Sequence, residues 1–384
     1  MKQGTLNILW LILIFIVTSG QKIAEYPDNK DNQSHKYKNG NSYDVNLILA
    51  PRHSKVKNVI FMIGDGMSLM HVYSAWTANK GRLFLENCQF TGLSKTYCSD
   101  NLITDSAASG TAMATGQKTK KGYVAVGPNG NKLKTITEIA RDAGLSTGVI
   151  ATCRLTDATP ATFSVHNTDR DKADEIANSY VDCGIDYIAG GGRSFFSNPA
   201  LNLNLLPAFE KKGYQVAVSM DDLSKINQGK VFAPVAEIDL DKPAERKDQL
   251  WQLTKKGLDL LSENKKGFFL MVESSMIDDY GHFNELPTLM EEILDFDQTI
   301  GKVLEWAKNN PGTLVVVTSD HETGGLTLLN GNIETGEIEC HFSTKSHSGV
   351  MVPVYAFGPK AEIFSGIYEN TELFRKISKL LNID

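Results

Sequence analysis

Three apolar runs in this chain end on acidic residues, and no other pattern constrains its fold as strongly. The run at 59–63 (Val-Ile-Phe-Met-Ile) leads into Gly64-Asp65-Gly66. The run at 268–272 (Phe-Phe-Leu-Met-Val) ends on Glu273, and that at 314–317 (Leu-Val-Val-Val) leads through Thr318 and Ser319 to Asp320 and His321. Short apolar runs without alternation are strands buried on both faces, as in a parallel sheet covered by helices. Such strands deliver their carboxyl ends to one edge of the sheet, so residues distant in sequence converge there. Strands are expected near 57–63, 90–97, 146–152, 186–190, 268–273, 313–319 and 352–357. Helices are expected near 67–79, 133–143, 171–181, 246–263, 289–308 and 372–381. The alternation predicts an α/β fold: a single large domain over 45–384, with a central, mostly parallel sheet flanked by helices on both faces.

The residues gathered at that edge are those of a metal site. Asp278 and His282 lie just past Glu273; if the segment is helical, positions i and i+4 share a face and can hold one ion. His347 stands in a polar loop before the strand at 352–357. Thr104-Asp105-Ser106-Ala107-Ala108-Ser109-Gly110 is built of small residues. A helix starting there packs close to its neighbours and carries Ser106 at its positively polarised N-terminus. Asp157-Ala158-Thr159-Pro160 follows the strand at 146–152, with His166 and Arg170 beyond it. A guanidinium matches a tetrahedral oxyanion better than an ammonium does. Serine is a weak nucleophile, and no His base is evident beside Ser106, so a metal would have to activate it.

In this order, Asp65-Gly66-Met67, Thr104-Asp105-Ser106-Ala107-Ala108-Ser109, Asp157-Ala158-Thr159-Pro160 with Arg170, Glu273 with Asp278 and His282, Asp320-His321-Glu322, and His347-Ser348-Gly349 resemble the motifs of the alkaline phosphatases. The resemblance runs from about residue 56 to about 360. It implies a phosphomonoesterase acting on small-molecule phosphate monoesters through a phosphoserine on Ser106. It implies two zinc ions, one held by Asp278, His282 and His347, the other by Asp65, Asp320 and His321. It implies one magnesium ion that shares Asp65 and adds Thr159 and Glu273, with Asp157 acting through water. His and carboxylate ligands suit zinc, and Thr and Glu oxygens suit magnesium. Substrate would meet Asp105, Ser106, Arg170 and Asp279, with Arg170 clamping two phosphoryl oxygens. A homodimer is the family's default. One position departs from the pattern: better-known bacterial members carry Lys after the ligand Asp and animal members His, whereas this chain has Asp279. An anion there should weaken phosphate binding. The stretch between Thr323 and His347 also leaves little room for the large extra domain of animal members.

Three rival functions keep parts of this constellation. A phosphodiesterase or phosphonate hydrolase would use the same two zincs. Arg170 favours monoesters over these, because a monoester dianion offers free oxygens to a guanidinium. A catalytically inactive zinc- or phosphate-binding protein would keep the ligands without turnover. A sulfatase is disfavoured, since no Cys- or Ser-x-Pro-x-Arg signature is present.

The N-terminus reads as a secretion signal over 1–20: Lys2, then an apolar run at 6–17 too short for a comfortable membrane span, then Thr18-Ser19-Gly20. That implies a periplasmic or secreted protein with no stable membrane anchor after cleavage. Residues 21–44, rich in Lys, Asn, Asp and Ser, read as a polar linker or loosely held N-terminal arm. A formal net charge of −6 without basic clusters gives no reason to expect nucleic-acid binding. Cys88 and Cys98 flank an expected strand, which places their ends too far apart for a disulfide.

Overall fold

The three apolar runs lie side by side at the centre of one sheet. In the computed structural model, which describes residues 33–51 and 55–383, they form strands β1 (Asn58–Gly64), β7 (Phe268–Ser274) and β8 (Thr313–Thr318). The other strands of this sheet are β2 (Phe90–Lys95), β3 (Ser146–Arg154), β4 (Tyr187–Gly191), β5 (Tyr214–Val216), β6 (Lys230–Pro234), β9 (Val352–Phe357) and β10 (Gly366–Glu369). The strand order is β10-β2-β9-β8-β1-β7-β3-β4-β6-β5. All neighbours run parallel except those of β9, which is antiparallel to both β8 and β2. Thr318 and Glu273 both pair with Ile63. This register brings Asp320 and Asp65, each two residues further on, to the same height and sets Glu273 below them.

Successive residues of β1 feed opposite cores. Ile60 and Met62 pack on one face with helices α6 (Gln249–Leu261) and α8 (Leu286–Asn309); Val59, Phe61 and Ile63 pack on the other. That second face is covered by α2 (Ser106–Thr115), α3 (Ile136–Asp142), α5 (Ala173–Tyr180) and α9 (Thr371–Leu381). Every residue of β1, β7 and β8 is buried, the outcome expected of unalternating strands. The fold is thus the α/β architecture read from the sequence.

Several boundaries differ from expectation for local reasons. The helix expected from 289 begins at Leu286, because Pro287 fits its first turn, where its missing N–H is not needed. The helix expected over 246–263 starts at Gln249, because Lys247 has φ 55 and breaks it after Arg246. The edge strands β5 and β10, and β6 beside β5, are short and are not foreseen from the sequence. Between Thr323 and His347 the chain makes only a hairpin, Leu326–Asn332 against Glu337–Phe342.

Residues 1–32 lie outside the described residues, and with them the expected leader and the first half of the expected arm. Residues 34–44 are held rather than loose, a correction to the expected arm. His35–Lys38 adds a strand to the hairpin edge, and the Tyr43 hydroxyl donates to Asp297 at 2.6 Å. Asp297, on α8, also accepts from the backbone of Phe84 and Leu85, so it fixes two segments at once. All five cysteines are buried free thiols. Among the described residues no helix is long and apolar enough to cross a membrane.

A buried ion triad joins the crossover to α8. Arg246 donates to both oxygens of Glu292 at 2.8 Å and to Asp295 at 2.7 Å, with the Arg246 and Glu292 side chains fully buried. Removing one partner of such a pair strands a charge in low dielectric. Glu292→Ala should therefore lower unfolding free energy by about 3–5 kcal/mol, measured by denaturant titration. Replacing the whole triad, Arg246→Met with Glu292→Leu and Asp295→Leu, should cost less than Glu292→Ala alone, because no charge is left stranded.

Candidate active site

Ser106 opens α2, and the neighbouring residue caps it. The Asp105 carboxylate accepts from the Ala108 N–H at 3.0 Å and from the Gly122 N–H at 2.9 Å. The small side chains of α2 are all buried, and a Cβ added at Gly110 would stand 2.5 Å from Thr162 Oγ1. That close approach seats α2 against the short helix α4 (Ala158–Thr162), which carries Thr159. The Ser109 hydroxyl donates to the Asp320 carbonyl at 2.7 Å and ties α2 to the end of β8.

At that end Ser106 Oγ lies 3.2 Å from His321 Nε2. The same nitrogen is 3.1 Å from Asp320 Oδ2 and 3.4 Å from Asp65 Oδ1. A second group stands next to it. His282 Nε2 is 3.3 Å from Asp278 Oδ2 and 3.2 Å from His347 Nε2, which is 3.6 Å from Asp278 Oδ1. Ligands at about 2.0–2.1 Å from a tetrahedral zinc ion stand about 3.3 Å apart. Both donor groups have that spacing. The His282 and His347 Nδ1 atoms face the carbonyls of Lys345 and Thr104 at 2.7 and 2.8 Å. An Nδ1–H donated there aims the Nε2 lone pair into the site.

The carboxylates reinforce the case for cations. Asp65 Oδ1, Asp320 Oδ2 and Glu273 Oε2 are buried with no hydrogen-bond partner. Burial, and then the charges of Asp320, Asp278 and Glu273, push the Asp65 carboxyl well above its ordinary range. Burial and Asp157 do the same to Glu273. Thr159 Oγ1 donates to Asp65 Oδ2 at 3.2 Å, so Asp65 links an all-oxygen group, with Glu273 below, to the His321 group. Hard oxygen donors suit magnesium. Asp157 is already engaged, by Arg154 at 2.7 Å, Arg170 at 3.0 Å and the Ala158 N–H at 2.5 Å. An outer, water-linked place fits it better than direct coordination.

Arg170 reaches Asp157 through one Nη and Asp105 through the other, at 3.0 and 3.4 Å, and its side chain stays 27 % exposed. Donors remain for two incoming oxygens. Asp279 is half-buried. Burial, with Asp278, Asp157 and Asp239, pushes it up to about 6 against the pull of Arg154.

The structure thus brings Asp65, Asp105, Ser106, Asp157, Thr159, Arg170, Glu273, Asp278, His282, Asp320, His321 and His347 together, with Asp279 at the margin. Sequence reasoning missed three features. His321 stands beside Ser106 after all, its ring nitrogen shared with two carboxylates. Arg154 stands between Asp157 and Asp239, and only the i, i+3 spacing of Arg154 and Asp157 hinted at it. Thr323, whose hydroxyl donates to Asp278, lies two residues past His321.

These geometries describe a site that places a serine beside buried carboxylates and imidazoles able to hold metal ions. A model of the family described as Alkaline phosphatase matches residues 56–340. The chain is 33 % identical to alkaline phosphatase 4 of Bacillus subtilis, over 85 % of this chain and 89 % of that protein. It is similar in structure to the alkaline phosphatase of the Antarctic bacterium TAB5, with TM-score 0.82 and 35 % identity, covering 86 % of this chain and 100 % of that one. A variant of that enzyme, at TM-score 0.81 and 34 % identity and covering 86 % of this chain and 99 % of that one, has magnesium bound in its M3 site. The chain belongs to the alkaline phosphatase family.

His166, which lies between Pro160 and Arg170 in sequence, is outside this site. It bonds Glu138 at 3.1 Å and the Ala125 carbonyl at 2.7 Å, anchoring the segment that leads to Arg170. Against burial, which pushes it up, the bond from His166 holds Glu138 down at about 2, from an ordinary 4.5. Against burial, which pushes it down, Glu138 raises His166 above its ordinary 6.5. The Glu138 contribution is present above pH 4.5 and lost as pH falls towards 2. The His166 contribution is complete below 6.5 and lost as pH rises through its raised value. Glu138→Gln should therefore destabilise most between pH 4.5 and 6.5, by about 1.5–3 kcal/mol in thermal or denaturant unfolding, and least at the extremes.

Proposed function

We propose that this enzyme hydrolyses phosphate monoesters through a covalent phosphoserine on Ser106. The position of Ser106 Oγ, 3.2 Å from a His321 nitrogen that also faces Asp65 and Asp320, carries the reading. Two zinc ions, held by Asp278, His282 and His347 and by Asp65, Asp320 and His321, would supply the charge that lowers the pKa of the serine hydroxyl and of water, with magnesium held by Asp65, Thr159 and Glu273. Ser106 Oγ attacks phosphorus as its proton is lost, and the alcohol or phenol leaves. Water then attacks the phosphoserine from the opposite side, releasing inorganic phosphate and restoring the hydroxyl. Two inversions give net retention at phosphorus. Arg170 binds two non-bridging oxygens throughout, and Asp105 and Asp157 hold its plane. A diester offers this fork one charge fewer, which favours monoesters. The leader-like run at 6–17 supports a place outside the cytoplasm, periplasmic or secreted.

The deciding measurement is phosphate release from an aryl monoester and the matching bis-aryl diester between pH 7 and 10, with chelated and zinc-plus-magnesium-reloaded protein. Turnover should require metal and favour the monoester by orders of magnitude. Ser106→Ala should keep zinc binding and lose about a thousandfold in kcat. A diester preference would overturn the role given to Arg170; no turnover from zinc-loaded wild type would make the protein a binder.

Asp279 adds negative charge where the product leaves. Asp279→Lys should lower the inhibition constant for inorganic phosphate several-fold at pH 8. An unchanged or higher constant removes Asp279 from the account of phosphate affinity.

A further inference from the structure

We infer that Arg154 is a positioning residue for the phosphate clamp, the second cation of a charge ladder that keeps Arg170 open to substrate. The ladder alternates in sign across the site: Asp239, Arg154, Asp157, Arg170, Asp105. Arg154 Nη2 is 2.7 Å from Asp157 Oδ2, and Arg170 Nη2 is 3.0 Å from Asp157 Oδ1, so the two guanidinium groups divide one carboxylate between them. The far end is anchored on Asp239, which accepts from the Arg154 backbone N–H at 2.7 Å and stands 3.7 Å from its Nη1.

The surrounding backbone is shaped to hold Arg154 there. Arg154 ends β3 beside the Gly190-Gly191-Gly192 run at the end of β4. A Cβ at Gly191 would stand 2.1 Å from the Ile238 carbonyl, and one at Gly192 would stand 2.9 Å from Arg154 Cβ, with φ +92 besides. Only glycine admits both the loop bearing Asp239 and the Arg154 stem at this corner. The loop is fixed in turn, the Leu240 N–H donating to the Thr152 carbonyl at 2.8 Å and the Arg193 N–H to the Ala236 carbonyl at 2.9 Å. The Arg154 end of the ladder is therefore held by three segments of the chain, the end of β3, the glycine corner after β4 and the loop bearing Asp239.

The direction of its effect follows from carboxylate geometry. An ionised carboxylate with one guanidinium neighbour takes it bidentately. With Arg154 on Oδ2, Asp157 offers Arg170 only Oδ1, and Arg170 keeps donors for two phosphoryl oxygens. Without Arg154, both oxygens of Asp157 turn to Arg170 and compete with phosphate for the same fork. Arg154 is also the cation that opposes the charges of Asp279 and Asp239. Its loss weakens anion binding twice over, by the freed Asp157 and by the uncovered field.

The inference rests on the monoesterase reading, and wild-type turnover is measured first so that the two fail separately. In metal-reloaded enzyme with an aryl monophosphate, Arg154→Met should raise KM and the phosphate inhibition constant about tenfold. It should change kcat much less, and Arg154→Lys should recover part of the loss. In an Arg170→Ala background the same Arg154→Met change should have little further effect on the phosphate constant, a coupling that a general structural fault would not produce. A phosphate constant within twofold of wild type in folded Arg154→Met overturns the inference. So does a full-sized effect in the Arg170→Ala background, or complete rescue by excess magnesium, which would put Arg154 in the service of a metal instead.

Discussion

Four carboxylates crowded out of water are the constraint on which this structure turns. Asp65, Glu273, Asp278 and Asp320 sit at the ends of, or just past, neighbouring strands whose parallel register leaves them no freedom to separate. Burying an isolated carboxylate is prohibitively costly unless it is neutralised. The protein supplies too few donors for that purpose: three of these residues keep a buried oxygen with no hydrogen bond. His321 and His347 relieve only part of the repulsion, and the stacking of their rings 3.6 Å apart shows how little space remains for further side chains. The sheet therefore gathers negative charge that bound cations would balance. The chemistry of the serine and the energetics of the fold are two consequences of that gathering.

The surrounding elements each answer a demand of this edge. Small residues in α2 let its N-terminus approach the strand ends. The Ser109 bond to the Asp320 carbonyl sets the height of the Ser106 hydroxyl. On the opposite side stand two arginines rather than lysines, because a planar guanidinium can bridge two carboxylates, as Arg170 does between Asp105 and Asp157, and still present donors to a third group. Asp105 serves twice, capping α2 and steadying Arg170.

The centre of the fold was legible because fully buried strands have a distinctive sequence: apolar, unalternating and bounded by glycine or acid. The edges were not. β5 and β10 are short, and a strand of that length is defined by the neighbour it pairs with rather than by its own residues. The reversal of β9 was equally hidden, since Val352-Pro353-Val354-Tyr355 carries no mark of direction. Among site residues, those at strand ends or at i, i+4 spacing could be read directly. His321 beside Ser106 could not, because its distance depends on how deeply α2 sinks between α4 and β8. Asp239 escaped for a similar reason: it comes from a loop without a motif, fixed by backbone hydrogen bonds and by Arg193 and Ser194 on Glu237. The docked segment at 34–44 was misread because its polar composition hides two specific anchors, Tyr43 and the hairpin edge.

Asp279 makes most sense beside Arg154. A carboxylate at that place, next to Asp278 and facing Asp157, would be hard to accommodate in a site that must admit a phosphate dianion. The structure opposes its charge with a guanidinium from the end of β3. The positive charge that organises the phosphate side comes from β3, one turn before Asp157, and is fixed by a glycine corner that no other residue type would allow. Placed there, the cation acts on Asp157 from behind and does not itself contact the substrate's path. On the proposed function the result is a clamp in which one guanidinium, Arg170, would face phosphate with carboxylates around it, an arrangement that would orient the anion by geometry while keeping its net attraction modest. For a hydrolase whose product is the very group it grips, that balance favours release.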